Sequence, residues 1–547
     1  MIRNALLSII TIATALGAAS QDLVDSLQIV ESAQSEDTKY TTYDPVEIRV
    51  SRTEFSVGVV ANAGNSELAP YYIGSNNGGV LTQQYSALAH ASLEHSIDLQ
   101  KRFSWGAGIE AWGGYASSAG YQRYVGDGQF EVQKQHPARI WLQEAYVAAK
   151  YRGIFAIAGQ ARKSSPIVED WLSSGDLVWS NNSRPPVGLR AGFIDFQDIP
   201  FTQGWVQIKG EFGYFRELDD KWLENHYNYY NHFITTDSWL HYKSLHLRTK
   251  PDQPFVFTIG AQSACQFGGT AKYYEDGQVT RTIKMDADAK AFWRTFIAGS
   301  GGNSAGDSFV EGNHLGSWDI ALEHRIKDTD KMLRAYTQWL WEDGSGIGKM
   351  NGFDGLWGLE YRNTSGLPLI SGAVIEYIDF TNQSGPIHWT PNDHPGTPII
   401  SHSSGADDYY NNYIYNSYQS RGMSIGSPFV KSPLYNHDGY MRYRDNVMRG
   451  FHAAIEGFFS HEWFYRLKGS YRKAWGTPII PRAGSVDDFS MALRVYYTPG
   501  ANWFPCWNVV DRLTINATVA VDHGKLYGNN WGVQLGIYYN GFFNFKK

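Results

Sequence analysis

From about Val50 onward the chain follows a single pattern. Segments of roughly ten residues alternate apolar and polar positions. A period of two sends successive side chains to opposite faces of a strand, so each segment predicts a strand with one greasy and one wet face. In Phe103–Tyr115 the greasy face is Phe103, Trp105, Ala107, Ile109, Ala111 and Tyr115, and the other holds Ser104, Gly106, Gly108, Glu110 and Trp112. In Glu462–Arg472, Trp463, Tyr465, Leu467 and Tyr471 alternate with Glu462, Arg466, Lys468 and Arg472. Asp488–Tyr497 and Arg512–Asp522 repeat the scheme. Many greasy faces carry Trp or Tyr near an end, the placement that forms girdles at the two surfaces of a bilayer. Strands of soluble sandwiches usually run about five or six residues. Several here are near the ~9–11 residues needed to cross a bilayer at a tilt. The fold class is therefore all-β, a transmembrane antiparallel β-barrel.

Candidate strands fall near 51–60, 85–100, 103–115, 139–151, 154–162, 188–194, 205–215, 239–249, 255–264, 315–325, 331–342, 352–362, 370–380, 448–460, 462–475, 488–497, 510–522 and 530–543. These are eighteen, an even number, as bacterial single-chain barrels have. Sixteen remain if 51–60 and 188–194 are not strands. Connections mostly alternate short and long. Short ones include Lys101-Arg102, Arg152-Gly153 and His461; long ones include 116–138, 163–187, 265–314 and 381–447. Short inner turns and long outer loops give this asymmetry, and with both termini inside it puts Thr381–Val447 outside. Glu217–Phe233 could form a short amphipathic helix in a long loop. The wet faces would line the lumen with Asp319, Glu323, Glu342 and Glu360 against Arg325, Arg334, Arg362, Arg466, Arg472 and Arg494. Such a lumen must pair its charges or stay wet, because burying an unpaired ion is expensive. An open pore and a plugged barrel both satisfy that.

Met1–Ser20 reads as a secretory signal, with Arg3, an apolar run over 5–16 and small residues before Gln21. No later apolar run approaches the ~20 residues of a membrane helix. The chain then divides into a signal (1–20), a polar periplasmic segment (21–49) and a barrel (50–547) in the outer membrane, inserted by the barrel-assembly machinery and surrounded by lipid. A net charge of -7 gives no reason to expect nucleic acid. Cys265 and Cys506 read as two unrelated thiols.

Few motifs suggest catalysis. Gly302–Gly306 spells G-x-S-x-G, but the stretch before it is Gly/Ser-rich, whereas a nucleophile elbow needs a buried strand there. His388, His394, His402 and His437 share the large loop with several Asp, without metal-ligand spacing. His437-Asp438 is its one adjacent His–Asp pair. No cofactor and no metal are expected.

Asp407–Pro428 has another chemistry. It holds five tyrosines, three asparagines, one Gln and one Arg. Flat aromatics cover the C–H faces of sugars, while amides satisfy hydroxyls and the Arg fork grips carboxylates. Tyr409, Tyr413, Tyr415, Tyr418, Asn411, Asn412, Asn416 and Arg421 are the polysaccharide-binding candidates, with Arg421 and the asparagines ahead of any single tyrosine. The competing reading is that the tyrosines pack the loop into the barrel mouth.

The run Tyr409–Gly426, with the block Asn182–Phe201 and Trp205, Lys209 and Gly210 after it, resembles the capsule assembly Wzi family of outer-membrane lectins. The resemblance covers most of residues 50–545. It implies an eighteen-stranded barrel blocked by plug segments in the loops and N-terminal region. It also implies a non-enzymatic role: binding capsular or other surface polysaccharide and attaching or assembling it at the cell surface. Two features depart from the family pattern: Asn411-Asn412 stand where the family often has His, and the chain ends Phe545-Lys546-Lys547. The rival functions are a sugar-permeable porin and a rim hydrolase.

Overall fold

The computed structural model describes residues 51–227, 232–299, 310–327, 329–342, 344–348, 351–383, 389–390, 402–403, 407–499 and 509–543. The signal and periplasmic segments, Gly302–Gly306, His388, His394 and Cys506 lie outside the described residues. Cys265 is buried.

Eighteen strands close into one antiparallel barrel. They are β1 (Thr53–Gly64), β2 (Ser86–His95), β3 (Phe103–Ala116), β4 (Ile140–Tyr151), β5 (Ile154–Gln160), β6 (Val187–Phe193), β7 (Val206–Arg216), β8 (Trp239–Thr249) and β9 (Phe255–Phe267), followed by β10 (Asn313–Arg325), β11 (Lys331–Trp341), β12 (Gly355–Asn363), β13 (Gly372–Asp379), β14 (Met448–Phe458), β15 (Trp463–Gly476), β16 (Pro481–Tyr497), β17 (Val509–Gly524) and β18 (Asn530–Phe543). Each pairs with its neighbours in sequence, and β1 closes on β18 with Thr53 opposite Phe543. Closure removes every free sheet edge. All eighteen expected segments are strands, including 51–60 and 188–194. The latter is short, and after a break the chain rejoins β7 through Gln197–Asp198.

Alternation decides which way each side chain points. Along β3, Phe103, Trp105, Ile109 and Tyr115 are exposed on the outer wall, whereas Ser104, Glu110 and Trp112 are buried inside. Val57, Val147, Leu189, Leu245, Leu322, Ile375, Leu493 and Val519 continue the outer belt. A belt this large would be a severe liability in water and suits hydrocarbon. Aromatic clusters frame it. Phe55 lies against Tyr539 and Phe543 at one end, and Trp357 against Trp339 and Phe353 at the other. Both described ends of the chain and the shortest connections share one end of the barrel, the turn end. The long connections share the other, the loop end.

Some of the long connections contain further strands. Ala119–Gly126 pairs with Gln129–Gln135, and Phe233–Thr236, Gly269–Glu275 and Gln278–Met285 form a three-stranded sheet. The alternation of apolar and polar positions predicts only long connections over 116–138 and 265–314. Both contain a two-residue hairpin signal, Asp127-Gly128 and Asp276-Gly277. All four residues have positive φ, the backbone that a tight hairpin turn needs. The expected helix is present as Asp220–His226.

The lumen charges pair. Arg362 bonds both Glu360 and Glu456 at 2.7 Å, Arg466 joins Glu456 at 2.8 Å, and Arg334 also meets Glu360. His246 meets Asp319 at 2.8 Å, and Arg325 meets Glu323 at 3.1 Å. The Arg494 Nε donates to Thr518. Arg472 is fully buried and lies 3.7 Å from the centre of the Tyr71 ring. Each of these cations thus has a carboxylate or π partner or, for Arg494, a hydroxyl acceptor, as burial requires.

Candidate functional site

Three loop-end segments, 65–85, 161–186 and 407–447, enter the barrel. The first turns through a one-turn helix, Tyr71–Gly74, and buries Ala69, Ile73 and Leu81 beside Trp112 and Ala520. The second brings Ile167, Leu177, Val178 and Trp179 into one apolar cluster with Tyr409, Tyr410, Tyr418, Ile425, Phe429 and Val430 of the third. Inward residues of the wall complete that cluster, among them Phe215, Tyr242, Leu315, Leu340 and Ile378. The middle of the lumen is therefore an apolar core like that of a soluble protein.

Polar wall residues fix the second segment by its backbone. Gln338 accepts from the Leu177 N–H at 3.0 Å, and Glu376 from Ser174 at 2.7 Å. Asp176 accepts from Gln262 at 3.1 Å, from Gln338 at 2.9 Å and from the N–H groups of Val178 and Trp179. Segment then binds segment. The Ser180 N–H donates to Ile425 at 2.8 Å, and Asn182 Nδ2 to Ser424 at 3.2 Å. These contacts satisfy backbone groups that a buried loop would otherwise leave unpaired.

The eight candidates of the third segment have different surroundings. Tyr409 is buried, donates to Asp354 at 3.0 Å and accepts from Asn351 at 2.8 Å. Tyr418 is buried in the main cluster, and Tyr415 lies against Ala271 and Met285 of the outer sheet. Asn411 Nδ2 donates to the Tyr443 carbonyl at 2.9 Å, and its Oδ1 accepts from the Tyr443 N–H at 2.8 Å. The Asn412 side chain caps the N–H groups of Ile414 and Tyr415 and donates to Asn313. Asn416 bridges the Phe233 carbonyl and the Thr235 N–H. Tyr413 is 55% exposed. Arg421 is half-buried at the rim.

Arg421 lines a cavity of about 30 Å³ between the third segment and the mouth ends of β5, β6 and β7. Gln160, Arg184, Glu217, Ser420 and Ile425 are among its other walls. Arg421 has φ of 51°, and its backbone N–H donates to Asp219 while Nη2 donates to the Leu218 carbonyl at 2.8 Å. The Arg184 guanidinium lies 5.2 Å from the centre of the Trp141 ring. Burial, with the positive charge of Arg421 close by, brings Arg184 down to about 9. Burial lowers Arg421 too, against the pull of Asp219. Burial and the neighbouring Asp219 charge push the Glu217 carboxyl up to about 8. Burial raises Asp219 to about 6 although Arg421 pulls it down. Near pH 7 Glu217 thus holds its proton, and the cavity carries net positive charge. Sequence reading named Arg421 but not Arg184. Both stand in stretches quoted for the family resemblance, yet no local pattern announces that they meet.

A hydrolytic centre at His437-Asp438 finds no such support. His437 is exposed, and the Asp438 carboxylate is engaged by Arg444 and by the Tyr440 N–H. Among the described residues no group of three or more His, Cys, Asp or Glu could hold a metal ion.

No family model matches the chain, and no curated protein matches it. Solved structures do. The chain is similar to Wzi, an outer-membrane protein involved in group 1 capsule assembly in Escherichia coli and a carbohydrate-binding β-barrel. Identity is 12%, over 96% of this chain and 91% of that one, with a TM-score of 0.53. It is also similar to Pseudomonas aeruginosa OprD, at 8% identity over 90% of this chain and 96% of that one, TM-score 0.43. Acinetobacter baumannii OccAB2 matches at 10% identity over 92% and 100%, TM-score 0.44. What the chain shares with Wzi at this identity is its architecture: a closed eighteen-stranded antiparallel barrel of the outer-membrane type.

Proposed function

We propose that this protein is a non-catalytic lectin of the bacterial outer membrane. It binds capsular or other surface polysaccharide at the loop end and helps attach or assemble it at the cell surface. The observation that carries this reading is the apolar core inside the lumen, built from the second and third loop segments. A barrel filled in this way offers a ligand a sculpted mouth instead of a passage. The likeness to Wzi, itself a carbohydrate-binding barrel, supports the same reading. Arg421 and the exposed Tyr413 are the direct contacts. Tyr409, Tyr415, Tyr418, Asn411, Asn412 and Asn416 act by holding the loop in shape, since the tyrosine rings pack within the protein and the three amides are bonded within it. Lipid surrounds the apolar belt, and the barrel-assembly machinery inserts it.

The test combines retention and binding. Deleting the gene should release polysaccharide into the medium, and Arg421→Ala with Tyr413→Ala should reduce retention while the barrel still folds. Undiminished glycan binding by the purified double variant would reject the loop assignment. A stable open current of porin size from the intact protein would replace the lectin by a porin. Hydrolytic activity lost in His437→Ala would replace it by an enzyme.

A further inference from the structure

We propose that Arg184 and Arg421 together form a receptor for the carboxylate of an acidic sugar unit at the barrel mouth. This rests on the polysaccharide reading and narrows it to glycans that carry uronate groups.

The two arginines come from different loop segments and line one cavity. Arg184 Nε is buried without a partner, and among the described residues its side chain has neither a hydrogen bond nor an ion pair. A buried N–H without a partner is costly and calls for an acceptor. The acids nearby do not supply one. The Glu217 oxygens accept from Ser238 and Gln266, and Asp219 accepts from Gln419 and the Arg421 backbone. The Trp141 ring backs the Arg184 fork, and the Leu218 carbonyl takes one arm of Arg421. The remaining N–H groups suit two oxygens of one planar anion, the geometry in which Arg surpasses Lys. A cavity of about 30 Å³ admits a carboxylate but not a sugar ring. The ring would stay outside, where the rest of the chain extends from the cell. An anion there also relieves the repulsion between two half-buried cations.

The experiment uses the full-length protein in detergent, with surface polysaccharide isolated from the source bacterium and the same material after carboxyl reduction to the neutral sugar. The native glycan should bind about tenfold more tightly than the reduced one, the scale of one charge-assisted pair. Arg184→Gln should erase that difference, and Arg184→Lys, which keeps the charge and loses the fork, should keep part of it. Unchanged unfolding temperature and gel mobility of both variants establish folding. Equal binding of native and reduced glycan overturns the carboxylate receptor and leaves the lectin. Binding of neither overturns both. Displacement of native glycan by millimolar inorganic phosphate, with no effect of carboxyl reduction, overturns the sugar carboxylate in favour of a phosphate ligand.

Discussion

The Tyr410 hydroxyl donates to the Leu177 carbonyl at 2.8 Å, fastening the third loop segment to the second in the middle of the barrel. Tyr410 is buried, lies against Tyr443 and Phe380, and its own N–H donates to Glu342 on the wall. One residue therefore ties both inserts to the barrel, and it does so with φ of 68°, a conformation that only a well-determined setting sustains for tyrosine.

Tyr410→Phe removes that bond and leaves the ring. The cost should be about 1 kcal/mol, with the Leu177 carbonyl left unanswered. Hydrogen exchange should report it at the Ser180 N–H, which bonds to Ile425 across the same junction, and at the Tyr418 N–H, which bonds to Tyr410 beside it. Unaltered protection at both amides would mean that the hydroxyl does not hold the segments together.

Replacing 408–426 by a short Gly/Ser linker removes the tyrosine wedge, with Tyr409, Tyr410, Tyr418 and Ile425 of the luminal cluster. The wall is untouched, because every barrel strand pairs only with other barrel strands. Planar-bilayer recordings should show steps of current that the intact protein lacks. Silence in the shortened protein would show that the other two segments seal the lumen unaided.

Arg362 and Arg325 should differ sharply on truncation. Arg362 bonds two carboxylates at 2.7 Å and lies 3.6 Å from Glu169. Arg362→Ala should destabilise the barrel by about 3–5 kcal/mol, since it strands buried negative charge. Arg325 pairs with Glu323 and is more exposed, so Arg325→Ala should cost below about 1 kcal/mol. Unfolding by denaturant in detergent measures both, and similar losses would contradict the paired-lumen account.

Glu217 should make the mouth less stable as pH rises. Its folded pKa of about 8 lies above the unfolded value, so between the two the folded state holds a proton that the unfolded state has released. Stability contributed by the neutral carboxyl is whole below the unfolded pKa and is lost as pH climbs through about 8. Asp219 acts in the same sense up to about 6. Glu217→Gln, which keeps an acceptor for Ser238 without a charge to titrate, should flatten the fall between about pH 5 and pH 8. An identical pH profile in the variant would remove Glu217 from the account.

The barrel was readable because its rule is local. Whether Phe103 or Ser104 faces lipid is settled by counting in twos, and the eighteen strands follow from repeating that count. The hairpins within the long loops are equally local, and Asp127-Gly128 and Asp276-Gly277 announce them. The tyrosine stretch was readable only as composition. Tyr and Asn suit a sugar and suit a plug, because a ring covers either apolar surface and an amide answers either a hydroxyl or a peptide group. The surroundings of Asn411 and Asn416, each closed on backbone groups, come from residues far along the chain.

By itself, then, the sequence determined the wall: the strand segments to within one pair, the sense of each face, the end at which long loops gather, and a lumen obliged to pair its charges. Tertiary structure decided what fills the wall. It brought 161–186 and 407–447 together in the lumen, turned most of the tyrosines inward, and set Arg184 beside Arg421 with Glu217 between β7 and the rim. The physical reason is range. Alternation acts between neighbouring residues and is written along the chain, whereas the plug and the arginine pair depend on closing long loops, and those contacts exist only once the barrel has brought the loops to one mouth.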